Sequence, residues 1–153
     1  MTKKAEFDFP PAALEAFSGA CFCLGLRKAA RKTCRLYDNA LAPFGLTIGQ
    51  YGIMAYIHVL KGPSVQGLAD QIGMDQSALS RSLKPIEKAK LIEAKPDSTD
   101  KRRRVLVLTN EGRKRFAKAS RAWKSAQDSI KNKYGSEKSE HLRRQLYELV
   151  SAI

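Results

Sequence analysis

Ser77, Ser80, Arg81, Lys84 and Lys88 follow one another at spacings of 3, 1, 3 and 4, which places all five on one face of a helix. None of them is acidic. Arg carries a fork of donors that fits a guanine edge in the DNA major groove, and short Ser side chains let a helix come close. An ordinary solvated face would mix its charges, and this one does not. Further on, Lys101-Arg102-Arg103-Arg104 sets four cations in a row. A charge run is usually only solvated. Strand geometry, however, splits this one across two faces, and Arg102 at a hairpin tip is free to enter a narrow minor groove. The chemistry these residues suit is electrostatic recognition of nucleic acid.

The whole chain leans the same way. Its 153 residues hold 28 Lys and Arg against 15 Asp and Glu, a net charge of +13. That exceeds what solubility needs and favours a polyanionic partner. A hydrophobic content of 43% supports one domain, or one domain with helical extensions. No apolar run reaches the roughly 18 residues of a membrane span. Two N-terminal lysines lack the apolar stretch of a signal peptide. The expected location is therefore cytoplasmic, with the three cysteines reduced. No phosphate-cradling Gly loop, carboxylate pair in an apolar setting or Ser-His-Asp grouping is present, so no enzyme is expected. Two isolated histidines without CxxC or HExxH imply no metal and no cofactor. His58, in an apolar segment, is expected in the core, and His141 at the surface.

The elements that position the cations follow from periodicity. Residues 1–11 read as an arm, with Pro10-Pro11 suited to a helix start. From residue 12 to Leu41 the pattern is helical, with Cys23, Leu26, Ala30, Cys34, Tyr37 and Leu41 on one stripe. Arg27, Lys28, Arg31, Lys32 and Arg35 lie largely off it. Pro43 and Gly45 end this helix, which is too long for so small a domain to cover and is expected to pack on a partner chain. Thr47-Ile48-Gly49-Gln50 is a capping box. The following YGIMAYIHVL predicts a helix buried on most sides. Gly62-Pro63-Ser64 stops it, and Ser64 can cap the next helix.

Val65, Leu68, Ala69 and Ile72 give a short helix its core face. Gly73 suits a turn of positive φ, and Asp75 can cap the helix that buries Leu79, Leu83 and Ile86. Pro85 predicts a kink or loosened turn near Arg81, at a cost of about 3 kcal/mol. A hairpin follows. Leu91-Ile92-Glu93 begins a strand, Pro96 to Asp100 form the turn, and Val105 to Leu108 form the second strand. From Thr109 to about Tyr134 a helix carries Phe116, Ala119, Trp123, Ala126 and Ile130 on a stripe. Ser136 is expected to cap the last helix, with its stripe of Leu142, Leu146, Leu149 and Ile153. No core is expected beneath these two helices. The predicted fold is mainly α with a small β-hairpin wing: a winged helix-turn-helix plus a helical dimerisation bundle. Residues 12–46 form the N-terminal dimerisation helix, 47–109 the DNA-binding lobe with its wing at 92–108, and 110–153 the C-terminal dimerisation helices.

With these motifs in place, the chain resembles the multiple-antibiotic-resistance regulator (MarR) family of bacterial transcription factors, from about Leu14 to Ile153. The wing carries the most specific likeness: Asp97, Asp100, Arg102, Leu108-Thr109 and Gly112. Leu41-Ala42-Pro43-Phe44-Gly45-Leu46-Thr47 with Gln50-Tyr51 is similar to the family's link between its first two helices. Leu79-Ser80-Arg81 with Leu83-Lys84-Pro85-Ile86-Glu87 is similar to the recognition helix of one branch, which also carries the proline. Lys90 departs, standing where the family usually has Gly, and predicts about 1 kcal/mol of strain in a left-handed turn.

The resemblance implies a homodimer on a palindromic operator, usually as a repressor. Arg81 would read bases, and Ser77, Ser80 and Lys84 would hold phosphates or base edges. Arg102, oriented by Asp100 and flanked by Lys101 and Arg103, would enter the minor groove. The resemblance also implies release by a small aromatic effector or by an oxidant. Cys23 and Tyr37 are the candidate sensor or pocket residues, aligning with the reactive cysteine and one tyrosine of the organic-hydroperoxide-sensing branch. Arg27 and Ile48 replace that branch's other tyrosines. On one continuous helix Cys21 and Cys23 point about 200° apart, and Cys23 and Cys34 stand about 16 Å apart along the axis, so neither pair would bond. Three readings stay open: small core residues, a thiol switch, or a ligand pocket that contains cysteines. The rival to a sequence-specific regulator is a sequence-neutral, basic nucleoid-associated DNA-binding protein.

Overall fold

The computed structural model describes Ala13 and residues 19–153. The arm expected over residues 1–11 lies outside the described residues. The chain divides between Leu36 and Tyr37 into two compact units.

In the first unit, Cys21 stands outside the helix. Its carbonyl accepts from the Gly25 amide at 3.0 Å and so begins α1, Phe22–Leu41. The unbroken helix expected from residue 12 is therefore interrupted at Cys21. The angular separation drawn for Cys21 and Cys23 on one continuous helix does not apply. Cys23 and Cys34 are exposed and Cys21 is half-buried. None of the three lies in the hydrophobic core of a single copy.

The second unit holds the hydrophobic core. Leu41 is fully buried at the end of α1. A 3₁₀ turn, Ala42–Phe44, then closes on Gly45, whose φ of 65° favours glycine. The next helix, α2, is Ile48–Leu60. The Thr47 hydroxyl accepts from the Gln50 amide, and the Gln50 side chain accepts from the Thr47 amide, so the capping box forms as expected. A further cap, this one a carboxylate, comes from α1, where Asp38 Oδ1 accepts from the Ile48 amide at 2.7 Å. Tyr51, Ile53, Met54 and Ile57 are buried, but Tyr56, His58, Val59 and Leu60 are not. The expectation of burial on most sides therefore fails over the last turn. His58 is exposed, its ring tilted 5.5 Å from that of Phe116, and is not a core histidine.

Two helices follow, α3 (Val65–Ile72) and α4 (Gln76–Lys88), capped by Ser64 and Asp75. Gly73 turns between them at a φ of 73°. Leu68, Ala69, Leu79, Leu83 and Ile86 meet in the core, each fully buried large side chain contributing about 1.5–3 kcal/mol. Helix α4 runs continuously through Pro85 to Lys88. Proline has no amide hydrogen, so the Arg81 carbonyl lacks its helical donor, yet the helix holds.

The hairpin is antiparallel, β1 (Ile92–Pro96) on β2 (Arg104–Leu108), with Ile92 opposite Leu108 and Pro96 opposite Arg104. Its base is fixed twice. Leu106 donates to the Pro63 carbonyl at 2.9 Å, and Thr109 donates to the Leu91 carbonyl at 3.0 Å. Thr109 also caps α5, Asn110–Tyr134. The first half of α5 belongs to the core. Ala119 is fully buried, Phe116 and Trp123 pack against it, and Tyr51 stacks on both rings at 5.0 and 5.9 Å. The absence of a core expected beneath the last two helices therefore holds only for α6, Ser136–Ala152, which has no buried residue. Gly135, not Ser136, stands at its N-cap, with no side-chain bond. Leu142, Leu146, Leu149 and Ile153 are exposed along it.

The architecture is mainly α with a small β-hairpin wing, in the order of a winged helix-turn-helix followed by two long helices.

Candidate nucleic-acid interface

Helix α4 turns Leu79, Leu83 and Ile86 inward and so must turn Ser77, Ser80, Arg81, Lys84 and Lys88 outward, where all five are exposed. Among the described residues, Arg81 and Lys84 make no ion pair. Both charges are therefore available to a ligand. The two serines are less free. Ser77 donates its hydroxyl proton to Asp75 Oδ1 at 2.6 Å, and Ser80 donates to the Gln76 carbonyl at 2.8 Å. Their oxygens face outward mainly as acceptors, and donation to a phosphate would require breaking a bond within the helix.

The wing tip is built around two carboxylates. Asp97 Oδ1 accepts from the Thr99 amide and hydroxyl, both at 2.7 Å, and from the Asp100 amide at 3.4 Å. The Thr99 hydroxyl first, then its amide, hold the Asp97 carboxyl below its ordinary range. Asp100 Oδ1 accepts from the backbone amide of Arg102 at 3.0 Å. Asp100 thus orients Arg102 through the main chain and leaves the guanidinium unpaired. Lys101, Arg102 and Arg103 are exposed and make no ion pair among the described residues. Arg104 behaves differently: its guanidinium reaches across the hairpin to the Ala94 carbonyl at 2.6 Å. The run of four cations therefore divides into three outward charges and one that ties the strands together.

The wing's attachment was not foreseen in its detail. Arg113 donates to the Leu108 carbonyl at 2.6 Å and to Asn110, and the Thr109 hydroxyl donates to the Lys90 carbonyl at 2.7 Å. Lys90 does take the left-handed turn, at a φ of 56°. The sequence signalled the Lys90 turn but not the Arg113 and Thr109 side-chain bonds, which depend on how the hairpin and α5 meet.

The candidate sensor residues fall in different units, Cys23 in the first and Tyr37 in the second. The Tyr37 hydroxyl donates to Gln127 Oε1, and burial raises its pKa. Tyr37 lines a small cleft of about 150 Å³ with Gln127, Lys131 and Tyr134. A larger recess of about 470 Å³ lies elsewhere, between α2 and the helix-turn-helix. Ile48, Ile53, Tyr56, Ile72, Met74 and Pro85 give it apolar walls, and no charged residue lines it. No group of three or more His, Cys, Asp or Glu suited to a metal occurs among the described residues. Among them, too, no single helix is long and apolar enough to cross a membrane.

Residues 44–103 match the model of the MarR family. The fold is similar to the transcriptional regulator MosR of M. tuberculosis in complex with DNA, at 30% identity and a TM-score of 0.76, covering 86% of this chain and 95% of that one. It is also similar to CouR, a transcriptional repressor bound to a 23-mer DNA duplex, at 19% identity and a TM-score of 0.79, covering 94% and 99%. A mutant MarR from E. coli complexed with operator DNA aligns at 20% identity and a TM-score of 0.76, covering 87% and 96%. The last two likenesses speak to the fold alone. No curated protein matches.

Proposed function

The chain belongs to the MarR family, and on that premise we propose that it is a DNA-binding transcriptional regulator: a cytoplasmic homodimer that represses from a palindromic operator. The observation that carries this reading is the pairing, on one lobe, of two cationic surfaces that make no ion pair among the described residues. They are Arg81 and Lys84 on α4, and Lys101, Arg102 and Arg103 on the wing. Arg81 takes a guanine edge in the major groove, Lys84 a phosphate, and Arg102 the minor groove. Ser77 and Ser80 lie close against bases or phosphates, offering oxygens.

Dimerisation is supported by the exposed stripe on α6, from Leu142 to Ile153, which needs a partner to leave water. A two-fold axis sets two copies of α4 about 34 Å apart, one turn of DNA. Release by a small, uncharged aromatic ligand is supported by the recess whose wall includes Ser82 and Pro85 of α4, because filling it bears on the reading helix itself. Release by oxidation is supported by the exposure of Cys23.

The test is selection of a randomised duplex by the full chain, with sedimentation to count protein copies per duplex. A recovered palindrome bound by two copies is the expected result. Equal retention of every sequence would make this a sequence-neutral binder instead.

A further inference from the structure

We propose that Asp75 is a base-reading residue, accepting a hydrogen bond from a cytosine amino group beside the position read by Arg81. This rests on the DNA-binding function proposed above and deepens it.

Asp75 stands immediately before α4 and is exposed. Its carboxylate is used only by half. Oδ1 accepts from the Ala78 amide at 2.7 Å and from the Ser77 hydroxyl at 2.6 Å. Among the described residues, Oδ2 takes part in no hydrogen bond and no ion pair. Capping explains Oδ1 but not the charge, since Asn and Ser cap a helix about as well. The Ser77 hydroxyl first and then the Ala78 amide, with smaller pulls from the charge of Arg81 and the Ser77 amide, hold the carboxyl below its ordinary range. Arg81 nonetheless forms no ion pair with it.

A negative charge is misplaced on a surface meant for a polyanion unless it has its own partner. Along α4 the one other acid is Glu87, in the last turn, far from the tip that enters a groove. At that tip a carboxylate is repelled by phosphates, by guanine O6 and N7 and by thymine O4. It is welcomed by an exocyclic amino group, and cytosine N4 is the donor that Asp and Glu take in the major groove.

The neighbours agree. Ser77 and Ser80 have already given their protons to Asp75 and to the Gln76 carbonyl. The tip of α4 therefore presents acceptors, while Arg81 and Lys84 further along present donors. Such a surface reads an amino-bearing base at its tip and a guanine beyond it. The carboxylate acts by exclusion as much as by attraction, lowering affinity for wrong sequences.

The experiment compares the full chain with Asp75→Ser and Asp75→Asn on a randomised operator library and on the selected operator. Both variants keep a competent cap, and equal melting temperatures verify it. Wild type should demand cytosine at one position in each half-site, by about tenfold over other bases. Asp75→Ser should lose that preference alone and bind unrelated duplex a few-fold more tightly. Asp75→Asn should move the preference to adenine, whose N6 and N7 an Asn side chain can pair. If both variants keep the wild-type preference at every position, Asp75 is a cap only and the proposal fails while the regulator reading stands. If wild type itself shows no sequence preference, both fail together.

Discussion

Gly112 sits so close to Leu91 that a Cβ built on it would fall 1.9 Å from the Leu91 carbonyl oxygen. That oxygen also accepts from the Thr109 amide. The first turn of α5 is thus pressed onto the base of the wing, and only a residue without a side chain allows it. Gly112→Ala should lower stability by about 1–3 kcal/mol, because the clash is with backbone that cannot step aside cheaply. Urea melting checks the first effect, and hydrogen exchange at Ile92 and Leu106 checks whether the wing loosens. An unchanged midpoint would mean that the helix and hairpin separate freely.

Lys90 holds a left-handed φ of 56° while its amide donates to the Glu87 carbonyl at 2.8 Å. Lys90→Gly should relieve the steric cost and raise stability by about 1 kcal/mol. A denaturation midpoint that fell instead would assign the lysine side chain a contact of its own.

Arg81→Ala should cost about 1–3 kcal/mol of binding and relax base preference at one or two operator positions. Arg102→Ala should weaken binding to all sequences alike and reduce the salt slope by about one. Competition binding at several salt concentrations separates these results. Exchanged phenotypes would mean that the roles of helix and wing are reversed.

The Asp97 carboxyl is depressed by the Thr99 hydroxyl and amide. Its folded value lies below its unfolded one, so its contribution to wing order is present above the ordinary carboxylate range. It is lost as pH falls through the folded value. NMR of the Thr99 and Asp100 amides during acid titration should show these signals moving only below the ordinary carboxylate range. Movement nearer neutrality would mean that another group orders the tip.

Thiol sensing has a direct check at the exposed Cys23. An organic hydroperoxide should release operator from wild type but not from Cys23→Ser. Retention by wild type ends the redox reading and leaves the apolar recess as the route for a signal.

The caps at Thr47, Ser64 and Asp75 were legible in the sequence because each is local: all three accept from an amide three residues on, and nothing distant decides it. The core stripes of α3 and α4 were legible for the same reason. What was hidden depended on pairing at a distance. No proline marks the break at Cys21. Periodicity could not tell that the last turn of α2 overhangs the core, exposing His58. In the run Lys101 to Arg104, strand register alone decides that Arg104 reaches Ala94 while Arg102 stays free. The outward face of α4 was therefore legible from residue type and spacing, whereas the hydroxyl protons spent by Ser77 and Ser80 show only in the geometry.

The lobe completes its core within one copy: Leu91, Leu106, Leu108 and Ala119 are buried without help from a partner. Folding of the lobe then makes no demand on how much of the protein a cell holds, whereas the proposed pairing through α6 would. For the homodimer proposed above, operator occupancy at low saturation rises with the square of protein concentration as long as most copies are monomeric, and linearly once they are paired. In the first regime, doubling the dose of this chain would raise occupancy about fourfold before any effector arrives.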